Sequence, residues 1–383
     1  MKITKIEAVP IHIGEKPNVE IADRRARVPL SWKLWGDKVV VKVSTDENLV
    51  GLGAVSCVPR EWGVTAEVVA YYINTYYGPT MIGEDPFNVE LILEKMDGLF
   101  EFRQIPQINP FPRSAIDLAL YDLMGKYCEL PVHKIIGGCY RNRIPVAGII
   151  YLHSEERVAR DAAEYASKGF KEVKLKVGAS DPNVDIRNVK AIRDAVGNEI
   201  GIRVDANGAW SVNAAVNAIK MLERYDILVV EQPIPRWDVK GMAEVKRRVD
   251  TPIMVDEGLH SIYDAQRLIE NQACDIFNLK LQKTGGLTLC KKLAVLAESA
   301  NITCFMGSEG EVGIDTAAAL HLVASTPNFG YCSDLCGPYL NEDDVIKQPF
   351  VVRDGHLQVP TTPGLGVELD ETKISKYSIK RGI

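Results

Sequence analysis

The chain has no run of 18 apolar residues, so nothing in it is expected to span a membrane. Its first residues, Met1-Lys-Ile-Thr-Lys-Ile-Glu7, hold no long apolar stretch, which argues against a signal peptide. No basic stripe stands out and the formal net charge is −6, which argues against nucleic acid as a partner. The eight cysteines are scattered without a C-x-x-C pair. They read as buried free thiols of a reducing compartment, and the cytoplasm is the expected location. The six histidines form no H-x-H or H-x-x-x-H pair, so a histidine-bound metal is not expected. No G-x-G-x-x-G follows a first strand, as it more often does in an open dinucleotide-binding sheet.

What is present is ordinary in composition and ordered in pattern. The chain has 383 residues, 46% hydrophobic and 25% charged, enough for a large core without disulfide or zinc staples. That length predicts more than one domain. Residues 2–12 and 38–44 alternate apolar and polar, the pattern of antiparallel strands, and Gly51-Leu-Gly-Ala-Val55 suggests a further strand with glycine-assisted close packing. Helical patterns follow at 65–76, 86–99 and 114–126, the last one capped and strongly amphipathic. Strands followed by helices suggest an α+β domain over 1–125.

From about 144 the rhythm becomes β then α. Candidate strands lie at 144–151, 171–177, 200–205, 226–231, 252–256, 275–281, 301–307 and 331–335, with helical patterns such as 155–168, 184–195, 213–225 and 287–300 between them. Steps of about 25–30 residues match one strand plus one crossover helix. The expected fold class is therefore α/β, a modified (β/α)8 TIM barrel over 126–354 behind an N-terminal α+β capping domain. A Pro/Gly-rich tail, about 355–383, is expected to pack back and complete the capping domain.

Charged residues punctuate this rhythm. Asp205, Glu231 and Asp256 lie 26 and 25 positions apart, and each closes an apolar run: Ile202-Arg-Val-Asp205, Ile227-Leu-Val-Val-Glu231 and Ile253-Met-Val-Asp256. Lys176 stands 29 positions before this series and Lys280 stands 24 after it. In a parallel barrel the carboxyl ends of the strands carry the active site. A single such acid would read as the cap of the following helix, but three in consecutive units read as metal ligands. Three oxygen donors without histidine suit Mg²⁺, with Mn²⁺ as the second choice, rather than zinc. Alternation allows only one of Asp256 and Glu257 to face the axis, and leaves open which.

Lys174 and Lys176, two apart on one strand, should face the same side. Like charge and desolvation are both expected to lower a lysine's pKa, and a neutral lysine can act as a general base. Asn207 should share the face of Asp205, and Asn278, Lys280 and Gln282 should share one face of their strand. Lys283-Thr-Gly-Gly286 suggests an anion nest or, more simply, a helix-entry turn. Glu309, Glu311 and Asp334 line the pocket or lie on solvated loops. Arg24, Arg25 and Arg27, with Trp32 and Trp35 nearby, form a solvated loop or a lid for an anionic substrate.

These residues resemble the enolase superfamily, and within it the muconate-lactonizing-enzyme (muconate cycloisomerase) subgroup. The likeness is carried by Lys174-Leu-Lys176, Val204-Asp-Ala-Asn207, Glu231-Gln-Pro233, Asp256-Glu257, Asn278-Leu-Lys280-Leu-Gln-Lys-Thr-Gly-Gly286 and the helix at 115–126. The resemblance implies Mg²⁺ on Asp205, Glu231 and Asp256, which decides the Asp256/Glu257 choice. It implies Lys176 and Lys280 as bases on opposite faces, Lys174 in support, and 13–32 as a specificity loop. A lysine base with a metal-stabilised enediolate is the known chemistry of that superfamily. A histidine/aspartate dyad, as in the mandelate racemase subgroup, is not visible, because position 280 is lysine. Dipeptide epimerases of the subgroup carry Asp-x-Asp at strand eight, where this chain has Asp334-Leu-Cys336.

The expected activity is abstraction of the proton α to a small carboxylate substrate, leading to an isomerase outcome of cycloisomerase or epimerase/racemase type. Asn207, Glu309 and Asp334 are the candidate substrate-binding residues. Dehydration at the same site is the alternative outcome. A non-catalytic barrel and a Schiff-base aldolase are the rivals of other kinds. A homo-oligomer is expected by analogy with relatives.

Overall fold

The computed structural model describes residues 1–16, 36–99 and 109–379. Arg24, Arg25 and Arg27 of the expected 13–32 loop, with Trp32 and Trp35, fall outside them.

Three antiparallel strands open the chain: β1 (Ile3–His12), β2 (Asp37–Thr45) and β3 (Val50–Ser56), paired in that order. The glycines of β3 do what their spacing suggested. A Cβ on Gly53 would sit 1.8 Å from the Ala115 carbonyl oxygen, so β3 lies directly against the helix Pro110–Tyr127. That helix is longer than the 114–126 pattern and starts on Pro110, which suits a first turn because proline lacks an N–H. Nor is it amphipathic in place. Ile116 and Leu120 pack into the core of the three-stranded sheet, while Leu118 belongs to the core of the barrel. A helix between two cores has no solvent face to keep polar.

Seven parallel strands follow in the order β11-β10-β9-β8-β7-β6-β5: Thr303–Met306, Ile276–Leu279, Ile253–Val255, Ile227–Glu231, Gly201–Asp205, Glu172–Lys176 and Gly148–Ile150. The expected strand at 144–151 divides in two. Arg143–Pro145 (β4) pairs antiparallel with His356–Gln358 (β12), and the chain enters the barrel only at Gly148. The eighth expected strand, 331–335, is reduced to bridging contacts. Ser333 N donates to the Pro145 carbonyl, Ala147 N donates to the Ser333 carbonyl, and Asp334 N donates to the Met306 carbonyl. Those bonds join the two edges of the seven-stranded sheet. Val229, Met254, Ile276 and Phe305 fill its interior. The helix Glu371–Tyr377 in the tail packs on β1, and Ile379 N donates to the Pro10 carbonyl. Among the described residues no helix is long and apolar enough to cross a membrane, and all eight cysteines are free thiols, six of them buried.

Candidate active site

Parallel register brings the charged strand ends together. Lys176 pairs with Asp205 and Asp205 with Glu231 across β6, β7 and β8, so three charged side chains stand in one row. The acids are not the caps of the helices that follow them. Those caps are Ser211, Asp238 and Ser261, whose side chains accept from Ala214 N, Gly241 N and Asp264 N. Asp205, Glu231 and Asp256 thus cap none of these helices, although Asp205 Oδ1 accepts from Asn207 N at 2.9 Å, and all three are buried.

β9 ends at Val255, one residue before Asp256. Past a strand end the two-residue alternation no longer holds, so Asp256 and Glu257 both reach the site, contrary to the expectation that only one would. Oxygens of Asp256, Glu257 and Glu61 lie within 4.8 Å of one another. β10 likewise stops at Leu279, and Gln282 sits on the short helix Leu281–Thr284 rather than beside Asn278 and Lys280 on a strand. Gly285 and Gly286, both at positive φ, then lead into the helix Leu287–Ser299, the simpler of the two expected arrangements.

The lysines hold the acids from both sides. Lys176 Nζ donates to Asp205 Oδ2 at 2.5 Å and to Asn207 Oδ1 at 3.1 Å. Lys174 Nζ lies 3.2 Å from Glu231 Oε2, 3.6 Å from Asp205 Oδ2, and bonds Asp334. Across the site, Lys280 Nζ lies 2.8 Å from Asp256 Oδ2 and 2.7 Å from Glu309 Oε1. Asn278 Nδ2 donates to Glu231 Oε1 at 2.7 Å, and Asn207 Nδ2 donates to Glu257 Oε1 at 2.9 Å. A cavity of about 80 Å³ opens over Lys174, Lys176, Asn207, Lys280, Glu309 and Asp334, with Glu15, Lys38 and Glu61 on its N-terminal wall.

These contacts correct one expectation. Burial works to lower the pKa of Lys174, Lys176 and Lys280, as foreseen, but the carboxylates outweigh it and all three are raised. Counting only the two neighbouring lysines left out Asp205, Glu231, Asp256, Asp334 and Glu309. The acids respond unequally. Burial, then Asp205, pushes the Glu231 carboxyl up to about 8, although Lys174 pulls it down. Burial also acts to raise Asp256, but Lys280 and Lys283 hold it well below the usual carboxylate range.

Glu309 and Glu311 are both buried, so neither lies on a solvated loop. Glu309 turns to Lys280, whereas Glu311 accepts from Ser308 and from Glu309 N at 3.3 Å. Asp334 has both oxygens engaged, one by Lys174 and one by Arg203 Nη2 at 2.9 Å. Two neighbours, Arg203 and Glu61, escaped the sequence reading, and a third, Lys283, was read only as part of a turn or anion nest. Lys283 is wholly buried, 2.8 Å from Asp256 Oδ1. Arg203 is also buried, stacked 4.5 Å from the centre of the Phe305 ring. An arginine inside the apolar run Ile202-Arg-Val was a usable signal for it. Glu61 comes from the far domain, and nothing local marks it.

The donor set fits a divalent cation. Carboxylate oxygens of Asp256, Glu257 and Glu61 lie within 4.8 Å of one another, near buried Asp205 and Glu231, and both oxygens of Asp256 lack a hydrogen-bond donor although Lys280 and Lys283 stand 2.8 Å away. Hard oxygen donors of this kind suit Mg²⁺.

Comparison with known proteins agrees with this geometry. Residues 157–373 match the family model for the enolase C-terminal domain-like fold, and 35–137 match the N-terminal domain of mandelate racemase / muconate lactonizing enzyme. The chain is 34% identical to the L-Ala-D/L-Glu epimerase of Clostridium acetobutylicum, over 86% of this chain and 90% of that one. It is 32% identical to a chloromuconate cycloisomerase of Delftia acidovorans, over 98% and 99%. Among solved structures, a dipeptide epimerase from Enterococcus faecalis in complex with Mg and L-Leu-L-Tyr superposes with a TM-score of 0.86, at 33% identity over 96% of this chain and 100% of that one. The chain belongs to the mandelate racemase / muconate lactonizing enzyme family of the enolase superfamily.

Proposed function

From that membership and this site, we propose that the protein is a metal-dependent isomerase that removes the proton α to the carboxylate of a small substrate. One observation carries the reading: Lys176, half-buried, and Lys280, buried, line one cavity and pair with different members of the buried acid set, Asp205 and Asp256. The support from relatives is that epimerases and cycloisomerases share the fold and that one of them holds Mg with a dipeptide.

In this reading Asp205, Glu231 and Asp256 hold Mg²⁺, which when bound stabilises the negative charge that develops on the substrate carboxylate. Lys174, fixed from behind by Asp334 and Arg203, adds a second positive charge at the same carboxylate. Asp334 therefore serves Lys174 rather than the substrate directly. Lys176, once a bound cation offsets the Asp205 charge that keeps it protonated, removes a proton at Cα from one side, and Lys280 delivers one from the other. Transfer across both faces inverts the stereocentre, and this arrangement favours racemisation or epimerisation over loss of water. Asn207, bonded to both Lys176 and Glu257, holds that wall in register. The reading extends to a homo-oligomer in the cytoplasm, and light scattering checks the oligomer.

The test is Mg²⁺-dependent exchange of deuterium from solvent into Cα across a library of carboxylates. Wild type should exchange at least one member and stop when the metal is chelated. If Lys176→Ala and Lys280→Ala both keep wild-type exchange, the reading is wrong.

A further inference from the structure

Among the described residues, eight other than glycine hold a positive φ, and seven of them are exposed or half-buried. The eighth is Gln232, buried at φ +35°. It also precedes Pro233, a position where extended backbone is normal. Glycine adopts a positive φ freely, and a long side chain is strained there. The reason for a glutamine at this position therefore lies in its side chain.

That side chain is fully used. Its Oε1 accepts from Asp256 N at 3.0 Å and from Gly258 N at 3.1 Å, and its Nε2 donates to the Ile234 carbonyl at 2.9 Å. Its backbone works in the same way: the N–H donates to the Met254 carbonyl at 2.9 Å, and the carbonyl accepts from Gly208 N at 2.7 Å. Gln232 thus ties together the turns that follow β7, β8 and β9, which start from Asp205, Glu231 and Asp256.

Asp256 depends on it most. It lies one residue past the end of β9. Its N–H is held by Gln232 and its carbonyl by Lys283 Nζ at 2.6 Å. Its carboxylate oxygens have no aligned donor, so their aim follows from the backbone beneath them and from the charges of Lys280 and Lys283. Mg²⁺ needs ligands near an ideal octahedron at about 2.0–2.1 Å, whereas Ca²⁺ takes about six to eight oxygens at about 2.3–2.6 Å in looser arrangements. A shift of Asp256 therefore harms Mg²⁺ more than Ca²⁺.

We propose that Gln232 is a positioning residue that fixes Asp256 relative to Asp205 and Glu231, and so makes the mouth select Mg²⁺ over Ca²⁺. This rests on the metal-dependent reading above and adds to it the residue that sets the metal preference.

The test is calorimetric binding of Mg²⁺ and of Ca²⁺ to substrate-free protein, with deuterium exchange into the carboxylate library run alongside. Gln232→Gly removes the side chain and relieves the backbone, and Gln232→Met keeps the length but removes the acceptor. Asp122→Ala is the control, because it deletes buried hydrogen bonds to Leu52 N and Leu365 N outside the mouth. Both Gln232 variants should weaken Mg²⁺ binding by about 10- to 100-fold, the usual effect of losing a group behind a metal ligand. Ca²⁺ should weaken less, so that the ratio of the two affinities falls by about 10-fold. Asp122→Ala should leave both affinities unchanged. Unchanged Mg²⁺ binding in the Gln232 variants overturns the inference and leaves the reaction standing. Equal losses for the two ions, or the same loss in Asp122→Ala, overturn it too. A Mg²⁺-selective loss in the variants, with no exchange of any carboxylate by wild type, upholds the inference and overturns the reaction. Wild type that binds no Mg²⁺ overturns both.

Discussion

Two places in this protein bury charge, and they treat it in opposite ways. Along the seam between the helix Pro110–Tyr127 and the barrel, every acid is closed off by donors. Asp122 accepts from Leu52 N at 2.8 Å, Leu365 N at 2.7 Å and Lys126 Nζ at 2.6 Å. Asp117 accepts from Thr288 N at 3.1 Å and Thr288 Oγ1 at 2.5 Å, and so caps the helix Leu287–Ser299, whose own N-cap is the side-chain-less Gly286. His321 is settled too. Its Nδ1 accepts from His133 N at 3.3 Å, leaving Nε2 to donate to the Leu365 carbonyl at 3.2 Å. At the barrel mouth, acids crowd acids, and Asp256 and Glu257 keep oxygens without hydrogen-bond partners. Buried polar groups are normally satisfied. A seam whose acids obey this rule holds domains together, and a mouth whose acids break it is poised to bind something.

The contrast can be broken experimentally, beginning with its largest effect. Lys280→Ala should lower exchange by roughly 1,000-fold, the scale of a lost general acid or base, with the circular dichroism of the fold retained. A variant with full activity would make the mouth as structural as the seam. Asp122→Ala should do the reverse. It strands two backbone N–H groups, and should cost about 3 kcal/mol in urea unfolding, while the folded fraction exchanges at the wild-type rate.

The seam also predicts a pH response. Burial, the largest influence, lowers the pKa of His321 to about 4, although its bond to Leu365 works the other way. The unfolded chain therefore takes up this proton first, near pH 6.5. Stability contributed by neutral His321 is complete above that pH and is lost as pH falls toward about 4, by up to about 3 kcal/mol. His321→Gln should flatten the difference in unfolding free energy between pH 7 and pH 5. An equally steep loss in the variant would place the response elsewhere. The smallest effect is at the mouth. Glu231→Gln removes an acid whose ionised form burial and Asp205 disfavour, and should raise metal-free stability by about 1 kcal/mol. The same variant should no longer be stabilised by Mg²⁺ in a thermal melt. Loss of stability without metal would show Glu231 to be a structural acid like Asp122.

Much of the mouth was legible from the chain because a βα repeat is periodic. A charged residue closing an apolar run, at steps of one strand and one helix, lands at the same end of each strand, and Lys176, Asp205, Glu231, Asp256 and Lys280 did. What was not legible falls where periodicity stops. Asp256 and Glu257 lie beyond the end of β9, so alternation misjudged them. The 331–335 segment closes the ring with a few hydrogen bonds instead of a full strand. The 114–126 pattern is longer in place and buried on both sides, because a second core covers the face that its sequence made more polar.

By itself, then, the sequence determined which strand ends carry charge and which side of the barrel they share, since both follow from local period and chain connectivity. Only the tertiary structure decided the balance of those charges. Lys174 and Lys176 are raised rather than lowered because Asp205, Glu231 and Asp334 converge on them from other strands. Glu61 reaches Lys280 across 219 positions of chain because two domains meet there. Electrostatic energy depends on distance through space, and the order of residues along a chain carries that distance only within a repeat.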